Sequence, residues 1–593
     1  MNGKLDDGVD AAGIGDLTTW PSLVAEKIDQ AVDDWQRREK VGRLWAGDAA
    51  LWTGSDESEW LGWLRNFKDR RSREELDTVS AVVLDGAFDD VLVLGMGGAS
   101  LCSEVLGLTF GQVPGAPKLH ILDSTDPSQI RCCAERLSLN RTMFIVSSKS
   151  GTTLESNILM RFFLDLVSTS APTGTVAGER FLAVTDPGSK LERFAIDQKF
   201  RRVFHGVPSI GGRYSALSNF GMVPACAAGI DVGQLIARAE RMQGRCTDAI
   251  PVRQNPGAML GLALGAAALA GRDKMTFAAS PGLRSFGAWV EQLIAESTGK
   301  RGRGIIPIDG EELTSPDTYA DDRLFVYVRD ETAPDWTQDD AFLRLSQAGF
   351  PVLSISLRDR YDLGGEFFRW EFATAVAGAL LNVNPFDQPD VEASKEVMRR
   401  LTSACETTGQ LPEEVPVCVD AGTGLSVFAD NANAAAVGAS HLDRCSNLID
   451  VISAHFERVE RGDYFAILAY LQMSDRHMAA LQKLRHLIRN TTGSATCLQF
   501  GPRFLHATGQ AYKGGPNSGV FLQITCDDSE DLDVPGQQYT FGVVKAAQAR
   551  GDLAVLGDRG RRAIRIHIQG DVCKGLECLS LIVRQSVGRS LDE

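Results

Sequence analysis

Seven small or cationic residues, Ser147-Ser148-Lys149-Ser150-Gly151-Thr152-Thr153, separate an apolar β-branched run from a helical pattern that starts at Leu154-Glu155. Strand, tight turn and helix in that order aim backbone N–H groups, hydroxyls and the positive end of a helix at one point. That suits a phosphate dianion, and Lys149 adds a point charge. An ordinary Ser/Thr N-cap uses the same residue types, so the loop alone leaves both readings open. A glycine turn, Gly95-Met96-Gly97-Gly98, follows the apolar run Val91 to Leu94 and lets the backbone come close to a ligand or a neighbouring strand. It departs from the G-x-G-x-x-G fingerprint, which makes a dinucleotide the weaker reading. In Gly211-Gly212-Arg213-Tyr214-Ser215 the cation stands near a helix start, where the dipole disfavours it and an anionic partner is needed. Glu296, in Glu296-Ser297-Thr298-Gly299-Lys300, either does chemistry or pairs with Lys300 at i+4. Glu392 and Lys395 are three apart and share one helical face. His506 lies in a long Gly-rich loop, Gly501 to Gly519, of the kind that usually has a function in a compact domain.

The elements that must position these residues follow from periodicity. Trp20 to about Val82 reads as helical, with its tryptophans in the core. Apolar strands then alternate with helical patterns in three successive stretches, which implies right-handed crossovers, parallel sheets and ligands at the carboxyl ends of the strands. The polar stretch Thr402 to Pro416 reads as a linker into the third. We therefore expect an α/β protein with a helical segment at 1–82, α/β domains at 83–245 and 246–405, and a third at 406–593 that carries the His506 loop. A chain of 593 residues is too long for one core, and 44% hydrophobic with 23% charged residues is ordinary for a globular protein. A net charge of −16 argues against a general nucleic-acid binder, so an anionic ligand needs a local cationic cluster. Twelve scattered cysteines without C-x-x-C, an acid-rich start without an apolar leader core, and no eighteen-residue apolar window lead us to expect a reduced, cytoplasmic protein away from membranes. No His/Cys/acid group has metal-ligand spacing, and neither metal nor cofactor is expected.

Five stretches together resemble the phosphoglucose isomerase family: Gly95 to Gly98, Ser148 to Thr153, Gly211 to Ser215, Glu296 to Lys300, and Asn384-PFDQPDVEAS-Lys395. The segment Gly501 to His506 is similar to one in the isomerase portion of fused transaldolase/phosphoglucose isomerase enzymes. The resemblance implies tandem three-layer α/β/α sugar-isomerase domains of flavodoxin-like form, with a third α/β domain behind them. It also implies interconversion of glucose 6-phosphate and fructose 6-phosphate by ring opening and an enediolate. By the same resemblance Glu296 is the proton-transferring carboxylate, Arg213 the cation at the oxyanion, and Lys395 an aid at the ring oxygen. Gly97, Gly98, Ser148, Lys149, Ser150, Thr153 and Gln388 would hold the substrate.

Three departures qualify it. Ala99 replaces the serine that usually follows the glycine turn, leaving Ser100 as its nearest substitute. Asp390 replaces a glycine and would either raise the Lys395 pKa, if it lay beside it, or simply cap the helix. Family members carry a ring-opening histidine between the catalytic glutamate and the lysine segment, where residues 297 to 394 contain none of the eight histidines; the His506 loop resembles the family's His-bearing loop, and that resemblance implies ring opening by His506. The alternatives are a related aldose-ketose isomerase that also takes mannose 6-phosphate, and a non-catalytic sugar-phosphate sensor. A homodimer and a separate transaldolase are the partners the resemblance allows.

Overall fold

Runs of valine, isoleucine, leucine and phenylalanine fit strands covered on both faces, and these runs form the centre of each sheet. The computed structural model describes residues 18–68, 70–86, 88–170, 176–438 and 448–589. The acid-rich stretch at the very start falls outside them. The described chain forms two compact units. The first takes Asp123 and everything described before it, Leu137–Pro316 and Asp322–Asp387; the second takes Ser124–Arg136, Asp317–Asp321 and Gln388 onward. Structural separation thus comes at Asp387/Gln388, ahead of the 405/406 boundary expected from the polar linker.

In the first unit, strands β1 (Asp90–Leu94), β2 (Lys118–Leu122), β3 (Thr142–Ser147), β4 (Phe181–Thr185) and β5 (Arg202–His205) form a parallel sheet in the order β2-β1-β3-β4-β5. This is the flavodoxin-like order, whose switch point lies between β1 and β3. A second parallel sheet, β7-β6-β8-β9, is built from β6 (Lys274–Ala279), β7 (Ile306–Ile308), β8 (Arg323–Asp330) and β9 (Val352–Leu357). The N-terminal helices Ser22–Arg37 and Lys40–Ala46 pack into the same core. Their tryptophans pack into the core, as expected, with Trp35 buried in it and Trp45 half-buried against it and donating to the Cys246 carbonyl at 2.9 Å; of those that follow, Trp52 donates to the Ala375 carbonyl at 2.8 Å and Trp63 stacks on Tyr214 at 5.3 Å.

The second unit holds β10 (Cys418–Asp420), β11 (Leu425–Phe428), β12 (Tyr464–Tyr470), β13 (Ala495–Phe500), β14 (Gly519–Cys526) and β15 (Arg562–Ile568), ordered β10-β11-β15-β14-β12-β13. The four strands β15-β14-β12-β13 are parallel, and an antiparallel hairpin extends the edge. The hairpin turns where the Asp420 carboxylate accepts from the Gly422 amide at 2.9 Å and Gly424 takes φ +69°. Its strand β11, four residues long, is absent from the sequence reading. No helix among the described residues is long and apolar enough to cross a membrane.

Candidate active site

The glycine turn and the hydroxyl loop leave the carboxyl ends of β1 and β3, the two neighbours that flank the switch point. The loop is shaped from within. Ser148 is buried; its amide continues the sheet to the Val184 carbonyl at 3.0 Å and its hydroxyl donates to Thr153 at 3.2 Å. Gly151 has φ +65°, and a Cβ there would stand 2.3 Å from the Leu191 amide nitrogen, so glycine is required. Ser150 and Thr152 are exposed and bonded to each other through their hydroxyls at 2.7 Å. Lys149 is tied to Asp186 and to the Pro208 carbonyl at 3.0 Å, so its charge is already partly neutralised. Ser100 is fully buried, with its hydroxyl given to the Gly97 carbonyl at 3.2 Å.

Gly98 has a packing reason of its own. A Cβ there would lie 2.0 Å from the Gly212 carbonyl oxygen, so only glycine lets the Gly211–Ser215 turn settle on this one. That turn carries Arg213, 3% exposed, in a short 3-10 helix that precedes the helix Asn219–Ala227 rather than opening it. The Arg213 guanidinium reaches Ser297 Oγ at 2.8 Å, the Pro385 carbonyl at 2.7 Å, the Asp387 carbonyl at 2.8 Å and Glu296 Oε1 at 3.2 Å. Its anionic partner is therefore Glu296, itself 8% exposed near the end of the helix Phe286–Thr298. Gln292, one turn earlier, donates to the other carboxylate oxygen at 3.2 Å. A carboxylate held from two sides beside a fixed cation is arranged to take a proton while an oxyanion grows next to the guanidinium.

Lys300 does not pair with Glu296. It turns to Asp387 at 2.9 Å, to the Ser297 carbonyl at 3.2 Å and to the Asn384 carbonyl. Full burial and the neighbouring Arg213 charge push its ammonium down to about 7, against the pull of Asp387 and Glu296. Lys300, Ser297 and Asp387 are the site residues that sequence reasoning missed. Lys300 and Ser297 stood in a quoted motif, and Asp387 in another, but nothing in the spacing says that the two motifs meet.

Gln388, Lys395 and His506 belong to the second unit. Gln388 precedes the helix Pro389–Thr408, and half-buried Lys395 on its first turns is paired with exposed Glu392 at 2.7 Å. Asp390 faces elsewhere: Gln510 donates to it at 2.8 Å and Arg559 pairs with it at 2.6 Å. His506 ends a short 3-10 helix, Arg503–His506, and is half-buried. Among the described residues no group of His, Cys, Asp and Glu could hold a metal ion.

Residues 72–313 match the family model for phosphoglucose isomerase. Glucose-6-phosphate isomerase of Prochlorococcus marinus (strain NATL2A) is 26% identical over 442 residues, 64% of this chain and 83% of that protein. The enzyme of the same name from Rubrobacter xylanophilus is 29% identical over 388 residues, 57% and 88% respectively. Among solved structures, a hypothetical protein from Thermus thermophilus superposes with a TM-score of 0.56 at 23% identity, covering 65% of this chain and 99% of its own. Glucose-6-phosphate isomerase from Chlamydia trachomatis superposes with a TM-score of 0.54 at 19% identity, covering 68% and 95%. The matched region spans the glycine turn, the hydroxyl loop, Arg213 and Glu296, and over it the chain is similar to the phosphoglucose isomerase family.

Proposed function

We propose that the chain interconverts glucose 6-phosphate and fructose 6-phosphate, with Glu296 moving the proton between C2 and C1 of the opened sugar and Arg213 stabilising the enediolate oxygen. The observation that carries this reading is the buried Arg213–Glu296 pair at 3.2 Å, inside the region that matches the family. Ser148, Ser150 and Thr153 supply hydroxyls at the switch point for the phosphate, and binding energy from that remote group orients the reacting carbons. Lys149 contributes through the loop's shape as much as through its charge, because Asp186 already holds it. Twelve scattered cysteines without C-x-x-C support a reducing, cytoplasmic setting.

A coupled assay offering glucose 6-phosphate and mannose 6-phosphate to the whole chain tests the activity. Turnover of the first alone supports the reading, and turnover of both makes the enzyme a broader aldose-ketose isomerase. Sugar-phosphate binding without turnover, unchanged in Glu296→Gln, overturns it in favour of a sensor. Lys395 and His506, assigned to ring opening by resemblance, need a separate measurement. His506→Ala is expected to slow turnover of the closed ring far more than proton exchange on an open-chain analogue, and equal losses would remove His506 from that role.

A further inference from the structure

The second unit contains a cavity of about 420 Å³ at the carboxyl ends of β12 and β14, bounded by Tyr470, Thr525, Lys545, Arg550, Arg565 and Phe428. That is the switch point of its sheet, since from β12 the chain continues outward to β13 on one side and returns to β14 and β15 on the other. Open α/β sheets take ligands at such points, in cavities of this size. Two guanidiniums converge there on a single oxygen. Glu414 Oε2 is 2.6 Å from Arg550 Nε and 2.7 Å from Arg565 Nη2. Arg565 is 4% exposed, lies 4.3 Å over the Phe428 ring, and its Nε meets no hydrogen-bond partner among the described residues. Burying a guanidinium with a donor unused is costly unless something else meets it.

The acid that brings the two arginines together belongs to a strap, Gln410–Glu414, that has no regular structure. Pro412 and Glu413 are exposed, and Arg550 also holds the Pro412 carbonyl at 2.6 Å. Lys545, deeper in, is already matched by Asp126 at 2.9 Å and by Asp528. One carboxylate shared by two guanidiniums leaves the pair a negative charge short.

We propose that this cavity is a second small-molecule site, for a metabolite with a phosphate monoester or carboxylate head whose oxygens replace Glu414 between Arg550 and Arg565. Glu414 is the stand-in anion that holds the two arginines in place until the ligand displaces it. Thr525 Oγ1 and His567 Nδ1, 3.0 Å apart at the ends of their strands, offer hydrogen-bond partners to the body of the ligand. His567 Nε2 is also 3.1 Å from Asp527 Oδ1, so a ligand would meet the imidazole by exchanging with one of these two contacts, and burial holds the ring below its usual value.

Calorimetric titration of the whole chain with inorganic phosphate tests this. Glu414→Gln removes the competing carboxylate and is expected to add one binding site per chain, about tenfold or more tighter than any at this position in the wild type. Glu414→Gln/Arg550→Gln is expected to lose that site; partly exposed Arg550 is changed rather than buried Arg565 so that the fold is retained. Thr153→Val in the first unit is expected to leave the added site untouched, which separates it from phosphate held at the sugar-phosphate site. Succinate in place of phosphate tells a carboxylate ligand from a phosphate one by which binds Glu414→Gln more tightly. An unchanged stoichiometry in Glu414→Gln, or an added site that survives Arg550→Gln, overturns the proposal.

Discussion

Glu296 shares Arg213 with a hydroxyl and two backbone carbonyls, so replacing the acid leaves the guanidinium three other bonds. Glu296→Gln keeps the shape and the bond to Arg213 but has no base. We expect kcat to fall by roughly 10²–10⁴-fold, the usual worth of a positioned general base, with KM changed only a few-fold. A comparable rise in KM would mean that Glu296 binds the sugar rather than transferring its proton. Lys300 allows a second prediction at this scale. Its proton is bound in the unfolded chain up to about pH 10.5 and in the folded chain only up to about 7. Between those values the unfolded state binds more protons, so stability contributed at this residue rises as pH rises from 7 towards 10. The unfolding midpoint of the wild type should therefore gain on that of Lys300→Met as pH goes from 7 to 9. A constant difference across that range would show that the ammonium keeps its proton in the fold.

The loop after β3 was legible because one run of small and cationic residues separates two strong periodic patterns, and the turn geometry follows from that alone. The partners of its side chains were not, since Lys149 meets Asp186 thirty-seven positions away and nothing in composition marks that pair. For the same reason Asp390 looked like a neighbour of Lys395 on one helix, while its carboxylate is held by Gln510 and Arg559 from distant parts of the chain. Lys395 with Glu392, a local i,i+3 pair, could be read directly. Gly98 could be seen as a glycine but not as a seat for the Arg213 turn, which only the fold brings against it. Gly98→Ala should press on the Gly212 carbonyl and displace the turn that carries Arg213. We expect destabilisation of about 1–3 kcal/mol from overpacking together with a larger loss in kcat/KM than in thermal stability would suggest. Thr153→Val removes the hydroxyl that Ser148 bonds, and should raise KM while leaving the melting midpoint nearly unchanged. Chemical unfolding of both variants beside their kinetics distinguishes the two effects, and normal kinetics in a destabilised Gly98→Ala would detach the turn from the site.

Three α/β stretches in chain order are what periodicity predicts, and the described residues form three sheets, but periodicity along a chain says nothing about which stretches share a core. The first two sheets belong to one unit, and a short segment between β2 and β3, Ser124–Arg136, belongs to the other. Specific polar contacts tie it there. Asp126 in that segment is 2% exposed and pairs with Lys545 at 2.9 Å, and Thr125 donates to Gln548 at 2.7 Å, both on the helix Phe541–Asp558. Desolvation works against the Lys545 charge, yet Asp126 and Asp528 outweigh it and hold the ammonium well above its ordinary value. A lysine buried to 3% between two acids is a group whose removal strands like charges without water. Lys545→Met should therefore destabilise the second unit by about 3–5 kcal/mol at pH 7, the cost of breaking a buried pair, and the loss should shrink as falling pH protonates Asp528, whose carboxyl burial holds above its ordinary value. Hydrogen exchange would show the effect concentrated in residues 124–136 and in the helix Phe541–Asp558. An effect confined to the helix, with 124–136 protected as before, would mean that this segment owes its place to apolar packing around buried Ile130 rather than to the ion pair.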